Sequence, residues 1–480
     1  MLYNTLEFAL FYALVFALYW FVLQRSLRLQ NFLLFVASYV FYGWWDWRFM
    51  GLLLLSSLTD FIAGRQISQT QDLGRRRMWL IFSLTVNLGM LMIFKYLGFF
   101  IDSFIAMARG FGYEMGDRTL SIILPIGISF YVFQSVSYSL DVFRRRLEPE
   151  KDLVNFLAFA SFFPQLVAGP IERATNMLPQ FKKVRVFKED LFKEGIRLIL
   201  WGLFKKVVVA DNIGATMELI IRHHEVYRGS VLAMGVFFFA CQLYCDFSGY
   251  SDMAQGTARL LGFDLMRNFN FPYFARDIMD FWRRWHISLT TWFRDYVFLP
   301  LSGGKMILTP WIQIRNTLIT FTISGLWHGA SWTFVIWGLL HGLYHIPYIL
   351  FPKLRANAAH TRPPFTVAGT LRATFQTGLT LLLNFVALVF FMSKDLAYAV
   401  SYFSHMFSAS LFREVNDFRE QFWWLIGFMG LEWCIMFYKK HHPFQLFNWP
   451  PAVRWALYYA FLLIVLYYNY DRRAFLYFQF

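Results

Sequence analysis

Apolar residues in this chain come in runs separated by short charged segments. Stretches 6–23, 32–45, 49–63, 78–100 and 120–140 each carry at most one charged side chain. They approach the roughly 20 residues that cross a bilayer core as a helix, so the pattern predicts a series of transmembrane helices. Further apolar runs cover 196–221 and 231–244, the second ending in YCDFSGYSDMAQG. The intervening loops are unequal. Arg65 with Arg75, Arg76 and Arg77 marks one, Arg144, Arg145 and Arg146 another two spans later, and 102–118 between them is close to neutral. Basic loops are retained in the cytoplasm, which places the N-terminus outside. The first run carries Glu7 and no basic region before it, the reverse of a cleavable signal peptide.

Three stretches break the pattern. Residues 156–169 (FLAFASFFPQLVAG) are apolar but short, punctuated by Pro164 and followed by Pro170, and they lead into a basic amphipathic passage over 180–197. Such lengths suit re-entrant or interfacial elements. The basic passage reads either as a helix on the cytoplasmic leaflet or as a surface that meets a charged donor. Residues 268–301 hold Arg276, Asp277, Asp280, Arg283, Arg284, His286, Arg294 and Asp295 among many aromatic rings, too charged for lipid and too apolar for open water. That mixture predicts burial in protein or beside a water-filled cavity. Finally, 308–351 is apolar over 44 residues. As one helix it would reach about 66 Å, roughly twice the hydrocarbon core, so it must break or turn. The expected place is the SGLWHGAS run from Ser324 to Ser331, where Gly325 and Gly329 allow unusual dihedrals and close approach. A break there puts His328 near mid-membrane.

Composition agrees. Among 480 residues, 58% are hydrophobic, 21% aromatic and 16% charged, with mean hydropathy +0.43, which excludes an ordinary soluble globular protein. The net charge of +15 sits in short inter-span segments rather than on one face, so it points to membrane topology and not to nucleic acid. Cys241, Cys245 and Cys434 are odd in number and lie in or beside apolar runs. They form no disulfide framework, and Cys241 and Cys245, one helical turn apart, read as buried thiols before they read as a metal pair.

The chemistry concentrates around two histidines 42 residues apart, His286 and His328. At a helix break beside freed backbone groups, a neutral imidazole can serve as a general base, although an interhelical hydrogen bond is the simpler role. Trp285, Trp327, Ser324 and Ser331 flank the two histidines as candidate cavity lining. Asp246, Tyr250 and Asp252 are further candidates, because acidic groups at membrane depth are costly unless paired or wet. Asp246 or Ser248 capping a broken helix explains them equally well. His341 and His345 share a helix face, a spacing that can bind zinc, but a straight helix carries His341 about 20 Å from His328. No metal site is expected. The chain has no GxxxxGK[ST], HExxH, GxSxG or HxxxxD motif and no internal repeat, so it lacks the usual signs of a nucleotide hydrolase, zinc protease, serine hydrolase or inverted-repeat transporter.

Several blocks together resemble the membrane-bound O-acyltransferase family in its bacterial polysaccharide-acetylating branch, and more distantly its D-alanyl-transferring branch. They are LPIGISFYVFQSVSYSLDVFRRR from Leu124, FPQLVAGPIER from Phe163, YCDFSGYSDMAQG from Tyr244, FWRRWHISLTTWFRDYVFLPLSGG from Phe281, GLWHGASWTFVIWG from Gly325 and the terminal FLYFQF. The resemblance implies an all-α polytopic membrane protein with about 11–13 membrane segments, re-entrant ones included, around a central funnel. It also implies one domain, with N-terminal helices over 1–142, a catalytic core over 143–350 and C-terminal helices over 351–480. In this family His328 is the essential residue and His286 its partner. The implied donor is acetyl-CoA or an acyl-phosphopantetheine carrier, approached through Lys182, Lys183 and Arg185, with no permanently bound cofactor. The acyl group, acetyl or another such as D-alanyl, passes to a polysaccharide outside the cytoplasmic membrane with the help of an extracytoplasmic SGNH-type partner. A non-catalytic transporter or channel and a recruiting scaffold remain as alternatives.

Overall fold

The computed structural model describes residues 1–480 except 114–115, 117–121, 168, 304–307, 357–365, 416, 448, 470–472, 474 and 477–480, and gives only the backbone at 355–356. The start of the 120–140 run, Ala168, Gly304 and all of FLYFQF after Leu476 therefore lie outside the described residues. Every regular element among the described residues is helical. Two compact units divide the chain: Met1–Ile196 with Ala254–Met266, and Arg197–Met253 with Arg267–Phe480.

In the first unit the apolar runs become helices Leu6–Ala17, Leu27–Gly43, Met50–Gln69, Leu73–Leu91, Leu97–Gly110 and Ile128–Phe143. Polar residues just ahead of the apolar runs start them. Thr5 accepts from Phe8 N, Ser26 from Leu29 N and Asp72 from Arg75 N, each satisfying a donor left over at a helix start. Leu6, Leu10 and Leu14 form an i, i+4 row on the first helix, and all three are more than 60% exposed. An exposed leucine row at that spacing is a lipid-facing surface. The basic passage departs from expectation at one residue. Lys182 and Lys183 are exposed, Lys182 pairing with Glu150 at 2.9 Å, but Arg185 turns inward. Its Nη2 donates to Asn31 Oδ1 at 2.6 Å, and its guanidinium stacks over Phe263 and Tyr19. An amide and two rings hold the buried guanidinium in place, so Arg185 is a packing pin and does not face outward with Lys182 and Lys183.

Five described helices are long and apolar enough to cross a membrane: Leu73–Gly110, Gly229–Leu260, Trp332–Leu350, Val367–Met392 and Pro451–Tyr468. Shorter apolar helices cover Leu6–Val22 and Leu153–Leu166. The protein is thus a multi-pass, all-α membrane protein.

In the second unit the long apolar passage does break where its glycines predicted. Helix Pro310–His328 ends at Gly329, whose backbone is extended, and Ser331 caps the next helix, Trp332–Leu350, by accepting from Thr333 N. The two helices run antiparallel. A Cβ on Gly325 would overlap the Phe334 carbonyl oxygen, one on Gly338 the Phe321 carbonyl oxygen, and one on Gly342 would press on Leu318. Glycine at the crossing therefore sets how closely the hairpin closes. His328, the last residue before the turn, stands at its tip.

Candidate active site

His286 is held by its neighbours in a conformation that few side chains adopt. Its φ of 41° and ψ of 55° are left-handed, and it occupies the position before helix Ile287–Phe293. Such a backbone persists only when surrounding bonds over-determine it. Asn268 supplies them. Its carbonyl accepts Ile287 N–H at 2.9 Å, and its side-chain oxygen accepts from Ser288 N at 3.2 Å, Ser288 Oγ at 2.9 Å and His286 Nδ1 at 3.1 Å. The Asn268 amide in turn donates to Ser251 Oγ at 3.2 Å. With Nδ1–H donating to an amide oxygen, Nε2 carries the lone pair. Among the described residues Nε2 has no hydrogen-bond partner. The ring is wholly buried, which holds its proton affinity below the ordinary histidine range. His286 is thus a neutral base with a fixed tautomer.

Aromatic rings join the two histidines. Phe247 meets His286 edge-on at 4.6 Å. Trp327 lies 6.1 Å from His286 and 4.9 Å from His328 between ring centroids, so one indole bridges the imidazoles. Trp337 and Phe391 close the other side of His328 at 4.9 and 5.5 Å. Trp285 packs parallel to Phe281 at 5.7 Å and helps line a small gap of about 20 Å³ with Trp337 and His341. The chain reversal also changes the standing of His341. His328 and His341 each lie 4.9 Å from Trp337, so one indole separates them where a straight helix would put them about 20 Å apart, because the second arm folds back along the first. His341 Nδ1 accepts from Trp282 Nε1 at 3.3 Å. Among the described residues no group of three or more His, Cys, Asp or Glu is placed to hold a metal.

Beside this centre is a cavity of about 530 Å³ between the 279–298 segment and the hairpin. Ser324 lines it one turn before His328, and Ile287 lines it immediately after His286. Thr290, Thr317 and Thr320 add hydroxyls, and Arg283 and Arg294 add charge. Its size is that of a small-molecule or cofactor-arm site. Ser331, by contrast, is engaged as a helix cap.

The acidic candidates sit in a buried ion-pair network. Gly202 and Gly249 let two helices touch backbone to backbone, since a Cβ on either would press on the other's carbonyl oxygen. That contact brings Lys205 and Lys206 against the YCDFSGYSD segment. Lys206 Nζ lies 2.7 Å from both Asp211 and Asp246, and Lys205 Nζ is 2.8 Å from Asp252 and 2.9 Å from Ser248 Oγ. Asp246 Oδ2 also accepts Leu476 N at 2.7 Å, and Phe475 packs on Tyr250 at 4.4 Å and Phe247 at 5.6 Å. Asp246 and Tyr250 therefore hold Phe475 and Leu476, and Phe475 backs Phe247, the ring that touches His286, while Asp252 pairs with Lys205. The lysines and Asn268 were not singled out from sequence. Two carboxylates on an apolar helix require buried cations, and Lys205-Lys206 interrupts an apolar run; that was the available signal for the lysines. Asn268 had none, being one polar residue in a charged stretch.

Comparison with known proteins shows the family of the chain. The model of the membrane-bound O-acyltransferase family matches residues 143–370, a span that holds both histidines. The probable alginate O-acetylase of Azotobacter vinelandii is 40% identical over 385 residues, covering 79% of this chain and 73% of its own length. The chain belongs to the membrane-bound O-acyltransferase family. It is an enzyme, a membrane O-acyltransferase. The peptidoglycan O-acetyltransferase of Helicobacter pylori is 35% identical over 72% of this chain and 69% of its own. The teichoic acid D-alanyltransferase of Bacillus subtilis is 32% identical over 48% of this chain and 61% of its own. Within this O-acyltransferase the residues outside 143–370 include helices Met50–Gln69 and Leu73–Leu91 of the first unit and the Phe475–Leu476 contact described above.

Proposed function

We propose that this O-acyltransferase passes an acetyl group from a thioester donor on the cytoplasmic side to a hydroxyl of an extracytoplasmic polysaccharide. The observation that carries the reading is the buried pair His286–Trp327–His328 standing next to a cavity of about 530 Å³. The cavity accommodates a pantetheine arm, either of acetyl-CoA or of an acyl carrier protein, with Arg283 and Arg294 available to its phosphate. His328 takes the proton from the accepting hydroxyl as its oxygen attacks the thioester carbonyl carbon. The carbon–sulfur bond then breaks and the thiolate leaves, to be reprotonated by the same imidazole. His286, its buried Nε2 carrying the lone pair and its Nδ1 fixed by Asn268, relays or orients that proton. Packed rings keep water from the thioester. Acetyl is preferred over D-alanyl because the O-acetylating relatives match more of the chain at higher identity than the D-alanylating one. The enzyme resides in the bacterial inner membrane with its N-terminus outside, and an SGNH-type partner completes delivery to the polymer.

The test is mass spectrometry of surface polysaccharide from cells carrying wild-type or variant protein at matched membrane levels. His328→Ala abolishes polymer acetylation, and His286→Ala reduces it strongly but incompletely. Wild-type acetylation in His328→Ala would sink the assignment and favour a transport or scaffold role for the cavity.

A further inference from the structure

Three helices of the first unit each present an i, i+4 pair of small polar side chains to a common point. They are Ser56 and Asp60 on Met50–Gln69, Ser83 and Asn87 on Leu73–Leu91, and Ser135 and Ser139 on Ile128–Phe143. All six are buried, four of them with Asp60 at 0% exposure. Asp60 Oδ1 lies 2.6 Å from Ser83 Oγ, 2.9 Å from Ser139 Oγ and 3.1 Å from Asn87 Nδ2. Ser56 Oγ continues the cluster at 2.6 Å from Asn87 Oδ1 and 3.0 Å from Ser135 Oγ. Asp60 Oδ2 has no hydrogen-bond partner among the described residues. No lysine or arginine pairs with Asp60 there.

A buried carboxylate without a counter-charge takes up either a proton or a cation. Ser83, Ser139 and Asn87 all sit on Oδ1, which leaves Oδ2 as the open oxygen of the carboxylate. The side chains packed around Asp60 are hydroxyls and one amide, whose oxygens belong to the ligand class of hard alkali and alkaline-earth ions. A proton shared with the serine hydroxyls would also satisfy the carboxylate, and it is the outcome in which sodium gives no shift. One carboxylate supplies one negative charge, which matches a monovalent ion. We propose that Asp60, with Ser56, Ser83, Asn87, Ser135 and Ser139, forms a sodium-class cation site that ties these three helices together.

A ligand that binds only the folded state raises its stability by mass action. Thermal unfolding of the purified full chain in detergent is therefore compared in sodium chloride, potassium chloride and choline chloride at matched ionic strength and pH. The midpoint rises by roughly 2–4 °C in saturating sodium over choline. Asp60→Asn, which keeps shape but removes charge, folds and loses the sodium-dependent shift. Ser139→Ala removes one ligand and raises several-fold the sodium concentration that gives half the shift, which keeps the test open should Asp60→Asn not accumulate. Equal midpoints in sodium and choline for the wild type overturn the proposal, as does a sodium shift undiminished in Asp60→Asn. A shift given equally by choline and sodium salts is an ionic-strength effect and overturns it too.

Discussion

At the scale of single residues, the two histidines are positioned by different neighbours. His328 is positioned by backbone, as the last residue before the Gly329 turn, and by the Trp327, Trp337 and Phe391 rings. His286 is positioned by one amide. Asn268 stabilises its left-handed backbone and assigns its tautomer at the same time. Asn268→Ala is therefore expected to lower acetyl transfer about 100-fold, the cost of a base displaced by about an ångström, while the protein still reaches the membrane. Asn268→Asp, which keeps the acceptor oxygen, recovers part of that loss. Unchanged polymer acetylation in Asn268→Ala would remove the residue from any positioning role. His286 and His328 stand out in the sequence by their aromatic surroundings and the glycines near one of them, and the fold places both against Trp327. Asn268 does not stand out, because its importance lies in three donors that only the folded chain brings to one oxygen.

At the scale of elements, two glycine contacts decide the arrangement. The hairpin 310–350 closes at Gly325 and Gly338, where each Cα lies against the other arm's backbone. Gly325→Val adds volume with nowhere to go, and overpacking at such a site costs about 1–3 kcal/mol or more. The expected result is a lower unfolding midpoint and reduced acetylation together; a variant with the wild-type midpoint would show the arms to be more loosely packed. The second contact, Gly202 on Gly249, delivers Lys205 to Asp252 and Lys206 to Asp246. Removing one side of a buried ion pair leaves uncompensated charge at a cost of about 3–5 kcal/mol. Lys206→Met is expected to destabilise by that order, measured by thermal unfolding, and adding Asp246→Asn restores part of it. If the double variant is no better than the single, Asp246 and Lys206 are not coupled. The break in the 44-residue apolar passage could be read from length alone, since no single helix that long fits a bilayer. Its form, a full reversal that lays Trp337, and with it His341, against His328, could not. A glycine permits many dihedrals, and packing selects among them.

For the whole molecule, charge asymmetry between loops carries the topology. A cysteine at the exposed position 68, beside the Arg65 and Arg75–77 cluster, is expected to resist an impermeant thiol reagent applied to intact cells and to react after permeabilisation. Labelling from outside would reverse the assigned orientation. Membrane character, helical class and the positions of the main apolar helices follow from hydropathy and length, because lipid leaves a backbone no other way to satisfy its polar groups across a span. The family was likewise legible, in blocks that run from the first third of the chain to its end. What the sequence could not decide is which polar residues face which. Arg185, expected at a basic surface, is folded inward onto Asn31 and two rings. Asp246 and Asp252, expected along a cavity, are bound to Lys206 and Lys205 on another helical segment. Hydrophobic pattern is a local property with a fixed period, and it survives in one dimension. Pairing among buried polar groups depends on contacts between distant helices, and only the tertiary structure decides it.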